Sequence, residues 1–496
     1  MKIFRRNLMS EKKKQVSLKL NFIMESILSM STFIFPLITF PYVSRILLPE
    51  GTGKVSFATS LVSYFLILTQ LGIPKYGIRA CAKVRDDHEE LTRTAQELLI
   101  INLIMTVFTY IAFFIVLAVV PRFQEDKPLY VIVSLSILFN TIGMEWLYKA
   151  LEKYTYITVR SVIFKFVAIL AMFALVHTKE DYVIYGGISI LASSFSNIFN
   201  FFHVHKYISM KPVGNYNLKR HWKPVVVFFA MSCATTIYTH LDTVMLGFMK
   251  TDADVGYYNA AVKIKTILVS IVTSLGTVLL PRVSYYVQNG QKEAFARITK
   301  KALNFVFLLA SPLVVYFILF AKQGIYFLSG TAYAGSIAPM QLIMPTLLLI
   351  GLSNITGIQI LVPTGREIIV LYSEIAGAIV DIIINALLIP GMASAGAAIG
   401  TLVAEAVVLG VQLYFIWGEV KEAFKSIHYM KIVIAICLGS AASLWVALMG
   451  LGNFVTLLVS AILFFGVYGI VLLLTKEALV LEILTQVTGK FLKKKG

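Results

Sequence analysis

The sequence is poor in charge, in cysteine and in acid. Charged residues make up 14% of its 496 positions, there are three cysteines, and 26 Asp and Glu stand against 44 Lys and Arg. So little charge, beside 58% hydrophobic residues and a mean hydropathy of +0.80, excludes an ordinary soluble domain. Cys81, Cys233 and Cys437 are far apart and lack metal-ligand spacing, which excludes a disulfide framework and a zinc site; they read as small apolar packing residues. No G-x-x-x-x-G-K-[ST] phosphate loop occurs, since Gly51-Thr52-Gly53-Lys54 is only a fragment of one, so the chain by itself is not an ATP-driven pump. H-E-x-x-H and G-x-S-x-G are missing, and the seven histidines form no relay set. Asp252-Ala253-Asp254 has the D-x-D form of metal-dependent glycosyltransferases. It sits, however, in a connection of about ten residues with no room for a nucleotide-binding domain, and reads as a solvated turn. The expectation is a protein that is not an enzyme, with no catalytic residue, no metal and no cofactor.

What is present is a series of apolar segments, each close to the roughly 20 residues that cross a hydrocarbon core. They predict an all-α polytopic membrane protein with 14 transmembrane helices. The expected organisation is a basic cytoplasmic N-terminus over 1–19, six spans over 20–208, a cytoplasmic linker over 209–223, six spans over 224–417, two more over 418–475 and a cytoplasmic tail over 476–496. If the helices alternate from a cytoplasmic N-terminus, about 35 of the 44 Lys and Arg fall on the cytoplasmic side. That bias places both termini in the cytoplasm of a multi-pass cell-membrane protein. It also explains the net charge of +18 topologically, so nucleic acid is not an expected partner.

The polar residues inside the spans carry the functional signal. At 100° per residue, Asn259, Lys263, Thr266, Ser270, Thr273, Ser274 and Thr277 of the eighth segment lie within about 60° of one line, and Lys265 lies off it. In the first segment Asn21, Glu25, Ser29, Thr32, Pro36 and Thr39 lie within about 40° of Glu25, and Pro36 and Pro41 should kink the helix. The seventh adds Ser232, Thr235, Thr236, Thr239 and Thr243 with Asp242 at the margin; the second adds Ser56, Thr59, Ser60, Ser63 and Gln70. Such stripes either line a water-filled cavity or form packing faces whose hydroxyls bond their own backbone. A packing face offers an ion no solvent, which favours the cavity for the stripes holding Lys263 and Glu25. Arg45, Lys54 and Lys265 have the alternative of snorkelling to the external headgroups. In the eleventh segment Glu367, Glu374, Asp381 and Asn385 share a face within about 20°. There the acids either neutralise facing cations or bind H⁺ or Na⁺. Gly396-x-x-x-Gly400 supplies a small-residue face for close helix approach.

Gly53-Lys54-Val55-Ser56-Phe57-Ala58 opens the second segment much as Gly256-Tyr257-Tyr258-Asn259-Ala260-Ala261 opens the eighth, an offset of six helices that suggests two halves in the same orientation. The stretches FPYVSRIL, LGIPKYGIRACAK, MEWLYKALEKYTYITVRS, LDTVMLG with VGYYNAA, and LLPRVSYY follow one another in the order found in Wzx-type flippases. In these the chain resembles the polysaccharide-transporter branch of the MOP superfamily, which also holds the MATE multidrug exporters and the lipid II flippase; beyond about residue 300 the resemblance rests on hydropathy. It implies two six-helix lobes related by pseudo-two-fold symmetry, two extra C-terminal helices and a V-shaped central cavity. It also implies an undecaprenyl-diphosphate-linked oligosaccharide as cargo, for capsule, O-antigen or teichoic-acid type synthesis in a bacterial cytoplasmic membrane. Membrane lipids, a polysaccharide polymerase and glycosyltransferases of the same route are the implied partners. Lys263 fits a diphosphate-binding role, with Arg45, Lys54, Lys265, Asn259, Ser270, Thr32 and Ser29 as further substrate-binding candidates. Glu25, Asp242, Glu374 and Asp381 are the candidates for ion coupling or charge balance. A MATE-like, ion-coupled multidrug exporter is the alternative that Glu25 and Asp242 keep open.

Overall fold

The computed structural model describes residues 2–482, 484 and 485, with side chains described for all of these except 2–19, 275–278, 280 and 281. Among the described residues every regular element is helical. The helices are α1 (Lys2–Gln70), α2 (Ile73–Lys83), α3 (His88–Val119), α4 (Lys127–Gly143), α5 (Glu145–Ala150), α6 (Tyr154–Leu175), α7 (Tyr182–Ile190), α8 (Asn197–His203) and α9 (Lys219–Met249). They continue with α10 (Asp252–Gln288), α11 (Lys292–Leu319), α12 (Ala321–Ser329), α13 (Ile337–Ile343), α14 (Thr346–Asn354), α15 (Glu367–Lys425), α16 (Tyr429–Leu444) and α17 (Asn453–Leu474). Among the described residues, 11 helices are long and apolar enough to cross a membrane, or 12 when the bent pair Thr331–Ile343 and Thr346–Leu361 counts as one span. Side chains such as Phe108, Ile111, Phe166 and Leu387 stay exposed because lipid, not water, is their solvent.

Two of these elements, Leu20–Lys83 and Glu367–Lys425, are far longer than one crossing needs. Each is interrupted at a residue with non-helical dihedrals, Leu48 (φ 58°, ψ 179°) and Ala393 (φ 48°, ψ −126°), and Leu20–Lys83 turns again at Leu71 (φ 46°) and Gly72 (φ 73°), between α1 and α2. Leu48 precedes Pro49, whose ring disfavours helical geometry in the residue before it. The interruption therefore falls at Pro49, while the helix runs on through Pro36 and Pro41, where the sequence predicts kinks. Leu191–Phe195 and Ile355–Leu361 are π-helical, a local underwinding that re-aims the side chains beyond it.

The chain forms two compact units, residues 1–240 and 241–496. The division lies inside α9, beyond the linker that composition suggests. The first turns of α9 belong with the first unit because the Tyr76 hydroxyl lies 2.8 Å from His221 Nδ1, and a β-carbon on Gly72 (φ 73°) would lie 2.4 Å from the Phe228 backbone. Within the first unit, α1 packs on α3, α4, α6 and α7, and a core of Leu71, Ile73, Leu98, Trp146 and Val204 closes one end. Within the second, α10 packs on α11, α13, α14 and α15, and Tyr316, Phe320 and Phe464 seat α17 on α11. Cys81, Cys233 and Cys437 are unpaired.

Candidate functional site

In the second unit the sequence brings two acids of different helices together. Asp242, in the last turns of α9, is 5% exposed, and Asp381 in α15 is 1% exposed. The Asn385 amide nitrogen donates to Asp242 Oδ1 at 2.6 Å and lies 3.2 Å from Asp381 Oδ1. The Tyr258 hydroxyl of α10 donates to Asp242 Oδ2, and the Thr401 hydroxyl lies 2.9 Å from both Tyr258 Oη and Asp242 Oδ2. Asn385 Oδ1 is buried without a hydrogen-bond partner. It is pressed against Gly400, where a β-carbon would lie 2.1 Å from it. The Gly396-x-x-x-Gly400 face thus folds the second half of α15 onto the first, and a β-carbon on Gly396 would meet the Leu388 carbonyl at 2.7 Å. Neither aspartate has an ion-pair partner among the described residues, although Lys265 lies within electrostatic reach of Asp381. Two carboxylates out of water share one bridging amide, an arrangement whose like charges oppose burial. The donors gathered here are carboxylate, amide and hydroxyl oxygens, which suit a hard cation. No group of three or more His, Cys, Asp or Glu that could hold a metal ion occurs among the described residues.

The first unit gathers cations instead. Arg160 in α6 is 8% exposed; one of its nitrogens donates to Asn197 Oδ1 at 3.0 Å and Glu145 is 3.8 Å away. Its Nε and Nη1 are buried with no hydrogen-bond partner. Lys165, on the same helix, donates to Ser31 Oγ of α1 at 2.6 Å and lies in no ion pair among the described residues. Glu145 pairs with Lys149 at 3.1 Å, and Glu25 lies within electrostatic reach of Lys149. Thr158, donating to the Met24 carbonyl at 3.0 Å, fixes α6 against α1. A buried guanidinium with two unused donor nitrogens is the arrangement that phosphate oxygens satisfy.

The sequence-derived candidates are distributed as follows. Lys263 and Lys265 are half-buried in α10. Asn259 donates to the Val255 carbonyl at 2.9 Å, and Ser270 to the Ile267 carbonyl at 2.6 Å; Thr32 donates to the Ser29 carbonyl at 2.6 Å, while Ser29 is itself exposed. The Ser270 and Thr32 hydroxyl protons are therefore spent on their own helices, leaving oxygen lone pairs for a ligand. Thr277 lies outside the described side chains. Arg45 is exposed and donates to the Pro41 carbonyl. Lys54 is held by Asp126 at 3.2 Å and lies 4.8 Å from the Tyr182 ring centroid, so its charge is already neutralised. Glu374 is half-buried outside the Asp242 cluster. Asp254 closes a capping box with Thr251 at the start of α10, which is the structural task of the D-x-D triplet. Arg160, Lys165, Tyr258 and Thr401 are the participants that sequence periodicity missed. The one available signal was that Arg160 and Lys165 stand inside an apolar span.

Fold and site together define a polytopic helical membrane protein that keeps uncompensated charge inside its helices, the build of a transporter. The chain belongs to the family described as "Polysaccharide biosynthesis protein", which matches residues 18–287, and the MatE family matches residues 228–387. The resemblance to Wzx-type flippases of the MOP superfamily holds. The chain is 24% identical to the "Putative O-antigen transporter" of Escherichia coli (strain K12) over 404 residues, 81% of this chain and 97% of that protein. It is 23% identical to the "Putative O-antigen transporter" of Shigella dysenteriae over 384 residues, 74% of this chain and 91% of that one. Its fold is that of the solved "Lipid II flippase MurJ, inward closed conformation", with a TM-score of 0.69 and 16% identity over 91% of this chain and 98% of that one.

Proposed function

We propose that the chain is a flippase moving undecaprenyl-diphosphate-linked oligosaccharide repeat units from the cytoplasmic to the outer leaflet for surface polysaccharide synthesis. The observation that carries the reading is the match across 97% of a relative named as an O-antigen transporter, within a polysaccharide-biosynthesis family. In this reading the two broken helices each cross the membrane twice, which brings the spans to fourteen in two six-helix lobes with two added helices, and both termini face the cytoplasm. The lobes alternate access, with the polyprenyl tail left in lipid. Arg160, Lys165 and Lys263 attract the diphosphate, and the partnerless Arg160 nitrogens support that role. Asp242 and Asp381, with Asn385 and Thr401, take up H⁺ or Na⁺ and couple its gradient to the cycle.

Deletion in the host tests this. Loss of surface polysaccharide with accumulation of the lipid-linked intermediate is expected, and unchanged polysaccharide would overturn it. A MATE-like exporter is the second reading, favoured by the buried Asp242–Asp381 pair and by the MatE match over the same residues. It predicts altered drug sensitivity without accumulated intermediate.

A further inference from the structure

A cavity of about 1090 Å³ opens in the second unit among the ends of α10, α11 and α15 and the segment that follows the π-helical stretch. Its walls include Val287, Phe295, Ile360, Val420 and Ala423. Lys292, Arg297 and Lys300 stand exposed at the same cavity, and among the described residues none of them is in an ion pair. The acids on its lining are already engaged. Glu419 receives both Arg366 nitrogens, at 2.7 and 2.9 Å, and Glu422 is 3.2 Å from Lys425. The cavity therefore has an apolar interior and an unneutralised positive rim.

All the helix ends that form it lie on the side to which the Lys and Arg excess assigns the cytoplasm. That is headgroup depth, where long basic side chains reach for anionic lipid and where basic pockets between helices hold acidic headgroups. A soluble anion would use the rim and leave the apolar walls wet; an apolar molecule would leave the cations without a counter-charge. The chain's own C-terminal residues GKFLKKKG are basic and would be repelled by it.

We propose that this cavity is a binding site for an acidic glycerophospholipid of the cytoplasmic leaflet. Lys292, Arg297 and Lys300 hold the phosphodiester, and an acyl chain runs along Phe295, Ile360 and Val420. The site is separate from the Asp242 and Arg160 clusters and does not depend on what the chain transports.

Native mass spectrometry of the full-length protein, titrated with phosphatidylglycerol or phosphatidylcholine, tests the proposal. The wild type should bind phosphatidylglycerol saturably and with a preference of at least about tenfold. A K292Q/R297Q/K300Q variant should lose the preference, and A296W, which fills the mouth of the cavity, should weaken binding. All four positions are exposed, so melting in neutral detergent should not change and reports folding independently. Phosphatidylglycerol bound equally by wild type and both variants would overturn the proposal, as would the absence of saturable binding. Displacement by glycerol 3-phosphate alone would mark an anion site, and a preference for polyprenyl phosphate over phosphatidylglycerol would mark a cargo site; either result overturns it.

Discussion

Replacing Gly400 with alanine puts the aspartate cluster to a quantitative test. The added β-carbon would lie 2.1 Å from Asn385 Oδ1 and 3.0 Å from Asp381 Oδ1. Asn385 is fully buried, so its amide can yield only by giving up the 2.6 Å bond to Asp242. A hydrogen bond to a charged group is worth about 1.5–3 kcal/mol, and overpacking a filled site adds about 1–3 kcal/mol. Alanine returns about 0.8–1 kcal/mol of helix propensity, so the net loss is roughly 2–5 kcal/mol. If the second unit, residues 241–496, melts as one, this should lower the apparent melting temperature in detergent by roughly 4–9 °C. Gly410 lies in the same helix with nothing within 4 Å of its added β-carbon, so Gly410→Ala should leave stability unchanged or raise it by about 1 kcal/mol. A Gly400→Ala protein melting within about 1 °C of wild type would refute the packing argument.

Arg160→Gln removes the charge and withdraws the donor from Asn197, because the shorter amide ends where Arg160 Nε stands; it should abolish transport of lipid-linked intermediate while the protein still accumulates in the membrane. Lys263→Ala should do the same, and thiol-reactive probes should label cysteines placed at 259, 263 and 270 from the aqueous phase; protection of all three in every state would remove the water-lined interpretation of that stripe. Lys54→Met should act on stability instead, costing about 1–3 kcal/mol because Asp126 keeps only the Tyr182 hydroxyl at 2.6 Å, with transport per folded molecule unchanged.

Helix existence was legible because membrane spans announce themselves by length and apolarity, but the break was not: kinks were expected at Pro36 and Pro41, whereas the interruption falls at Leu48 beside Pro49. Periodicity also put Asp381 and Asn385 on one face and marked Gly396 and Gly400 as a contact. What it could not give is which helix a face meets. Asp242 stood at the margin of its stripe, yet it is the acceptor around which Tyr258, Asn385 and Thr401 converge, three residues 16, 143 and 159 positions away. Lys54 looked like a ligand for cargo because Asp126 is 72 residues distant, and Arg160 went unnoticed because its partners Asn197 and Glu145 are tertiary neighbours. The hydroxyl stripes are plain in the spacing, but donors such as those of Thr32, Thr239 and Ser270 turn inward to their own carbonyls, a local option that spacing alone does not distinguish.

The stretch between α8 and α9 looks in sequence like a slack basic loop, but its backbone is fastened. Gln96 donates to the Ser209 and Lys211 carbonyls at 2.7 and 2.9 Å, and the fully buried Glu97 accepts from the Asn217 amide at 2.6 Å, from Arg220 and from His221. Trypsin, which must draw its substrate out into an extended strand, should therefore find the Lys206 bond a poor target, while the Lys211 bond resists it in any case because Pro212 follows. Epitope tags and engineered split points belong elsewhere, such as the turn at Gly450, where there is open space around the backbone.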